Sequence, residues 1–170
     1  MKNLVISIAF GFSALLVSCE KDDLEKSSVL PGETTTSGVL IMNSKQNKGF
    51  SVDNLKLADF PRSDADFIII PQTNLTGDVM SPFLSNPDLG KRFIFIDEFE
   101  DVKSAESYFN TNELFPEDES LQQFALNLKP NQLWLVKSAT GEFCKILILE
   151  TKIDKSTSFV EIRFKAGRVS

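Results

Sequence analysis

The sequence predicts a β-rich α+β fold, with antiparallel sheets and one or two short helices. Three observations carry that expectation. Short apolar runs that alternate or are rich in β-branched residues outnumber helical patterns. These runs come in hairpin-like series separated by turn residues, the arrangement antiparallel sheets need. Fifteen phenylalanines among 170 residues are enough to fill a core between sheets.

The elements follow in order. Residues 39–42 form a short apolar run fit for a first strand, and 43–49 are polar and turn-like. In 50–57, Phe50 and Val52 are followed by a turn at Asp53-Asn54, then by Leu55 and Leu57, so two short strands and a tight turn are expected. Residues 65–71 (ADFIIIP) are continuous and β-branched, a strand expected to be covered on both faces. Residues 73–90, with two prolines and two glycines, read as a long irregular loop, the kind that is often functional. Residues 91–97 (KRFIFID) make another strand.

Two helices are then expected. Asp101 caps the first, over 101–110, with Val102, Ala105, Tyr108 and Phe109 along one face. The second starts at Asp118 or Glu119 and runs to Lys129, with Leu121, Phe124, Ala125 and Leu128 at helical spacing and Pro130 ending it. Residues 132–138 and 142–151 flank Ala139-Thr140-Gly141 as a hairpin. In 157–164, Phe159, Glu161 and Arg163 alternate with Val160, Ile162 and Phe164. No internal repeat is visible.

The first residues follow a different logic. Lys2 and the amino terminus are positive, and 4–17 are uncharged and apolar, ending at the small Ser18. That run is shorter than the roughly 20 apolar residues of a membrane-spanning helix, as in a signal peptide. Leu16-Val17-Ser18-Cys19 resembles the lipobox of bacterial lipoproteins. The resemblance implies cleavage before Cys19, a diacylglyceryl group on its sulfur and acylation of the new amino terminus. Acyl chains contribute about 0.8 kcal/mol per buried CH₂, and two or more hold a protein stably on a membrane. Glu20-Lys21-Asp22-Asp23 looks like the surface-export signal of Bacteroidota lipoproteins, which implies an outer-membrane, cell-surface address. The expected organisation is a signal peptide over 1–18, a polar tether over 19–37 and one β-rich domain over 38–170.

Composition narrows the function. Lys2 is the only charge in 1–18, so the processed chain keeps 17 basic against 24 acidic residues. Such an acidic chain, without a basic run, is a poor partner for nucleic acid or for anionic lipid, and membrane attachment falls to the lipid anchor. No histidine is present. That removes the Ser-His-Asp triad, the Cys-His dyad and most zinc sites, and the expectation is a protein that is not an enzyme. With Cys19 acylated, Cys144 is left without a disulfide partner, and its apolar strand reads as a site for a small buried residue.

The C-terminal half has a recognisable order. A short helix containing Ser107-Tyr108-Phe109-Asn110 leads to the expected second helix, then to the hairpin WLVKSATGEFCKILI at 134–148 and a closing strand at 159–164. Earlier, Gly49-Phe50-Ser51-Val52 is followed by Ala65-Asp66-Phe67-Ile68. This order resembles the HmuY-like family of haem-binding surface lipoproteins over about 49–164. The resemblance implies a β-rich fold and capture of haem for an outer-membrane transporter, with paired histidines or methionines as axial iron ligands. Lacking histidine, this chain has Met80 and Met42 as its thioether candidates. Met80 lies in the expected loop, which together with the tip at 139–141 would line a site for haem or another small hydrophobic ligand. Tyr108 and Cys144 are weaker ligand candidates.

The alternative is an accessory or structural surface lipoprotein that binds protein partners through a sheet edge or loop. A hydrolase using paired carboxylates is the weakest reading. The acidic clusters at 97–101 and 117–119 do not have the spacing of an EF-hand loop and read as helix N-termini. The Asn74-Leu75-Thr76 sequon carries no expectation in a bacterial lipoprotein.

Overall fold

A computed structural model describes residues 36–61, 64–111 and 120–169. The expected signal peptide, Cys19, almost all of the expected tether and the 117–119 acidic cluster lie outside the described residues. Ten strands and one helix are described: β1 (Leu40–Asn43), β2 (Lys48–Ser51), β3 (Lys56–Asp59), β4 (Ile68–Thr73), β5 (Val79–Ser85), β6 (Phe93–Glu98), α1 (Val102–Thr111), β7 (Phe124–Ala125), β8 (Gln132–Lys137), β9 (Phe143–Asp154) and β10 (Phe159–Arg168). All pairings between these strands are antiparallel. A five-stranded sheet has the order β1-β10-β9-β8-β6, β2 and β3 form a two-stranded sheet, and β4-β5-β7 form a three-stranded one. The β-rich class and the antiparallel sheets hold, with a single short helix among the described residues.

Alternation decides which face of the large sheet meets what. Cys144, Ile146 and Ile148 on β9, with Val160, Ile162 and Phe164 on β10, enter one cluster with residues of the two smaller sheets. At its centre, the Phe50 ring lies 5.1 Å from Phe67 and 5.4 Å from Phe164, and Phe67 reaches Phe93 at 6.2 Å. Leu133 and Leu147 point to the opposite face and pack with Ala105 and Phe109 of α1. Lys145 shares that covered face. It is buried, its Nζ sits 5.2 Å from the centre of the Phe109 ring, and burial lowers its pKa. Farther along, the β9–β10 pair carries Lys152–Glu161 at 3.0 Å and Arg163–Glu150 at 3.1 Å.

Asp101 caps α1 as its sequence position requires. Its Oδ1 accepts the Lys103 and Ser104 N–H groups at 2.8 and 3.0 Å, and its Oδ2 accepts the Ser104 hydroxyl at 2.9 Å.

Three expectations are corrected. No second helix forms over the described residues 120–129. Gln122 instead bridges Phe93, β7 pairs with β5, and the Leu128 N–H bonds to the Pro82 carbonyl at 3.1 Å. That segment supplies ladder partners to two strands, which a helix cannot do. Residues 73–90 are not an irregular loop either, since they contain β5. Pro71 stands opposite Pro82 in the β4–β5 pair. At a non-hydrogen-bonded pair neither missing N–H removes a rung, so both prolines are tolerated. Finally, β4 is not covered on both faces: Ile69 is buried while Ile68 and Ile70 are half-buried.

The connections gather at two ends. At one, Thr36 bridges Gly167, the Arg168 guanidinium donates to the Asp53 carbonyl, and the 52–55 and 139–141 turns approach each other. At the other, the Ser44 N–H bonds to the Val160 carbonyl at 2.9 Å, and the Lys155 charge acts on Asp78. Thr36, the first described residue, therefore lies at the end that carries the 139–141 hairpin tip.

Candidate functional site

The most built feature at that end is a cleft of about 290 Å³ lined by Asp53, Asp64, Ala65, Asp66, Ala139 and Thr140. The turn after β2 supplies Asp53, the lead-in to β4 supplies 64–66, and the β8–β9 hairpin supplies its tip. Gly141, at φ +100°, makes the tip a tight turn, with the Ser138 N–H bonded to the Glu142 carbonyl at 2.7 Å.

Asp66 is the deepest of these groups. Its Oδ2 accepts the Val52 N–H at 2.8 Å and its Oδ1 accepts the Ala139 N–H at 2.8 Å. The Arg92 guanidinium lies 3.9 Å away and also pairs with Asp88. Burial raises the Asp66 pKa above its ordinary 3.8, and the Asp53 charge adds to this. The two N–H bonds and Arg92 oppose the rise without cancelling it. Nearer the mouth runs a hydroxyl relay. Ser138 Oγ accepts the Thr140 and Glu142 N–H groups at 3.2 and 3.0 Å, leaving its proton for Thr140 Oγ1 at 2.7 Å. Thr140 Oγ1 then donates to the Asp53 carboxylate at 3.0 Å. The cleft is thus a walled acidic recess whose polar groups hold one another.

Two other clefts are shallower in chemistry. One of about 220 Å³ lies between β4 and the 44–48 turn, and one of about 480 Å³ runs along α1 beside Phe99 and Tyr108.

The residues singled out in the sequence fall in separate places. Met42 has no exposed surface and sits in the main core cluster. Met80 lies in β5 and is 57% exposed. Neither lines any of the three clefts. Tyr108 packs against Phe99, with ring centres 5.1 Å apart. Cys144 is a buried free thiol whose pKa is pushed up by burial. Asn74 of the sequon is tied into the β4–β5 turn, where its Oδ1 accepts the Thr76 and Asp78 N–H groups at 3.0 and 2.8 Å. Among the described residues no group of three or more potential ligands could hold a metal ion, and no helix is long and apolar enough to cross a membrane.

The hairpin tip at 139–141 was legible in the sequence, but its acidic partners were not. The one available signal was a carboxylate immediately before an apolar run, at Asp66-Phe67-Ile68. Comparison with protein-family models, curated proteins and solved structures found no match to this chain.

Proposed function

We propose that this chain is a lipoprotein, held through acylated Cys19 on the outer face of an outer membrane, where its β domain serves as a non-enzymatic binding module. The observation that carries the reading is Leu16-Val17-Ser18-Cys19 at the end of a short apolar segment, followed at once by Glu20-Lys21-Asp22-Asp23. Sixteen polar-rich residues separate Cys19 from the bridge at Thr36, and fully extended they span at most about 55 Å. That length lets the domain stand clear of the headgroups. The absence of histidine from the whole chain supports binding over catalysis.

A protein partner suits the surface better than an enclosed small molecule. Among the described residues the main core is filled by interlocking phenylalanines, and the three clefts described above lie around strand edges, turns and the helix flank. Surface sites of that kind favour contact by a neighbouring polypeptide over engulfment of a ligand.

The test uses the full chain expressed in a bacterium with an outer membrane and fed a clickable palmitate analogue. The wild type is expected to carry the label, to fractionate with the outer membrane and to be shaved from intact cells by protease. Cys19→Ser should lose the label and the membrane association together. Label that persists on Cys19→Ser would overturn the lipoprotein reading, and protection of the wild type from protease would overturn surface display.

A further inference from the structure

The haem chemistry suggested by the family resemblance does not fit the residues present, and two independent observations say so. The first is the placement of the thioethers. An axial ligand must present its sulfur to the face of a porphyrin, so it has to line a slot that the macrocycle can enter. Met42 pairs with Ile162 across the β1–β10 ladder and has no exposed surface. Its neighbours in the core cluster include Phe50, Phe67 and Phe164, whose rings are in mutual contact. A porphyrin could reach it only by taking that packing apart. Met80, in contrast, lies at the register shift of the β4–β5 pair and faces solvent. One sulfur is sealed inside the domain and the other stands outside it.

The second observation is charge. The hairpin tip at 139–141, the other expected part of a haem site, borders a recess containing the carboxylates of Asp53, Asp64 and Asp66. Haem brings two propionates of the same sign, and like charges in a partly desolvated cleft repel. Arg92, the cation nearest Asp66, is already committed to Asp66 and Asp88.

We infer that this chain does not hold haem iron between Met42 and Met80, and that Met42 is a core residue. The inference goes beyond the anchoring reading and does not depend on it. Acylation of Cys19 and haemin binding are therefore tested separately and can fail separately.

Haemin is titrated into the full chain in detergent, with empty micelles as reference, for the wild type, Met42→Leu and Met80→Leu. Circular dichroism checks that each variant is folded. The expected result is no Soret displacement beyond that of the micelles, or a displacement that Met42→Leu leaves unchanged. A six-coordinate low-spin spectrum lost in both variants would overturn the inference. Should Met42→Leu fail to fold, electron paramagnetic resonance of the haemin-loaded wild type takes its place: no low-spin ferric signal, or one unlike that of bis-thioether ligation, supports the inference, and a bis-thioether low-spin signal abolished by Met80→Leu overturns it.

Discussion

The Asp66 carboxylate accepts the Ala139 N–H at 2.8 Å across 73 residues of sequence, while its other oxygen accepts the Val52 N–H. One side chain thereby joins the turn after β2 to the tip of the β8–β9 hairpin. Both of its oxygens are used as acceptors, which an amide cannot reproduce. Asp66→Asn should leave one backbone N–H facing an NH₂ group and cost about 1–3 kcal/mol of stability, after allowing for the relieved burial of charge. Asp64→Asn, at an exposed position in the same cleft, should stay within about 0.5 kcal/mol of the wild type. Urea denaturation at pH 7 reads both. Equal stability of Asp66→Asn and wild type would mean that the clasp contributes nothing.

The same residue predicts an unusual pH dependence. Asp78, Asp88, Asp101 and Asp154 have pKa values lowered by hydrogen bonds from neighbouring side chains and backbone N–H groups. Their stabilisation is present above the ordinary carboxylate value of 3.8 and is lost as pH falls through their depressed values. Asp66 has the opposite sign. Its folded-state pKa lies above 3.8, so the folded protein takes up that proton first as pH falls. The stability of the wild type relative to Asp66→Asn should therefore rise as pH drops through the window just above 3.8, and level off below it. Urea midpoints of both proteins at pH 7, 5, 4 and 3 measure this. A relative stability that falls over the same interval would show that the N–H bonds, not burial, dominate Asp66.

What could be read from the sequence divides along physical lines. The β8–β9 hairpin was legible because apolar alternation runs unbroken on both sides of Gly141, and the cap of α1 because Asp101 precedes an amphipathic turn. β5 was hidden by Pro82, whose position opposite Pro71 only the pairing register reveals. The spacing of Leu121, Phe124, Ala125 and Leu128 fits a helix as well as a short strand with extended flanks, and only the partners Phe93, Leu84 and Pro82 decide between them. The acidic recess was hidden for a related reason. Its members come from three distant segments, and no local pattern states that Asp66 will meet Ala139.

The two methionines should behave as differently as their surroundings. Met42→Ala opens a cavity in the main cluster and should cost about 2–5 kcal/mol, whereas Met42→Leu keeps the volume and should cost under about 1.5 kcal/mol. Met80→Ala removes a side chain that is 57% exposed and should change stability by about 0.5 kcal/mol or less. Thermal and urea unfolding of the three variants test the ranking. A Met80→Ala effect as large as that of Met42→Ala would contradict the exposure of Met80.

Gly49 offers a last test, because it controls how closely β2 approaches the segment that carries Asp66. A Cβ at this position would stand 2.6 Å from the Ala65 Cβ and 2.7 Å from the Phe67 carbonyl oxygen. Neither neighbour is the end of a flexible side chain, so neither can swing aside, and relief requires β2 to withdraw. Withdrawal would stretch the Phe50 N–H bond to the Phe67 carbonyl and the Asp66 N–H bond to the Phe50 carbonyl, both 2.8 Å. It would also carry the Val52 N–H away from the Asp66 carboxylate. Gly49→Ala should therefore cost about 1–3 kcal/mol, as overpacking of a close approach does. Gly38, with open space where its Cβ would sit, is the control. Gly38→Ala should be neutral or stabilising by up to about 1 kcal/mol, through the unfolded chain. Combining Gly49→Ala with Asp66→Asn should cost less than the sum of the two, since each loosens the same contact. Full additivity in urea midpoints would show that β2 does not hold the Asp66 clasp in place.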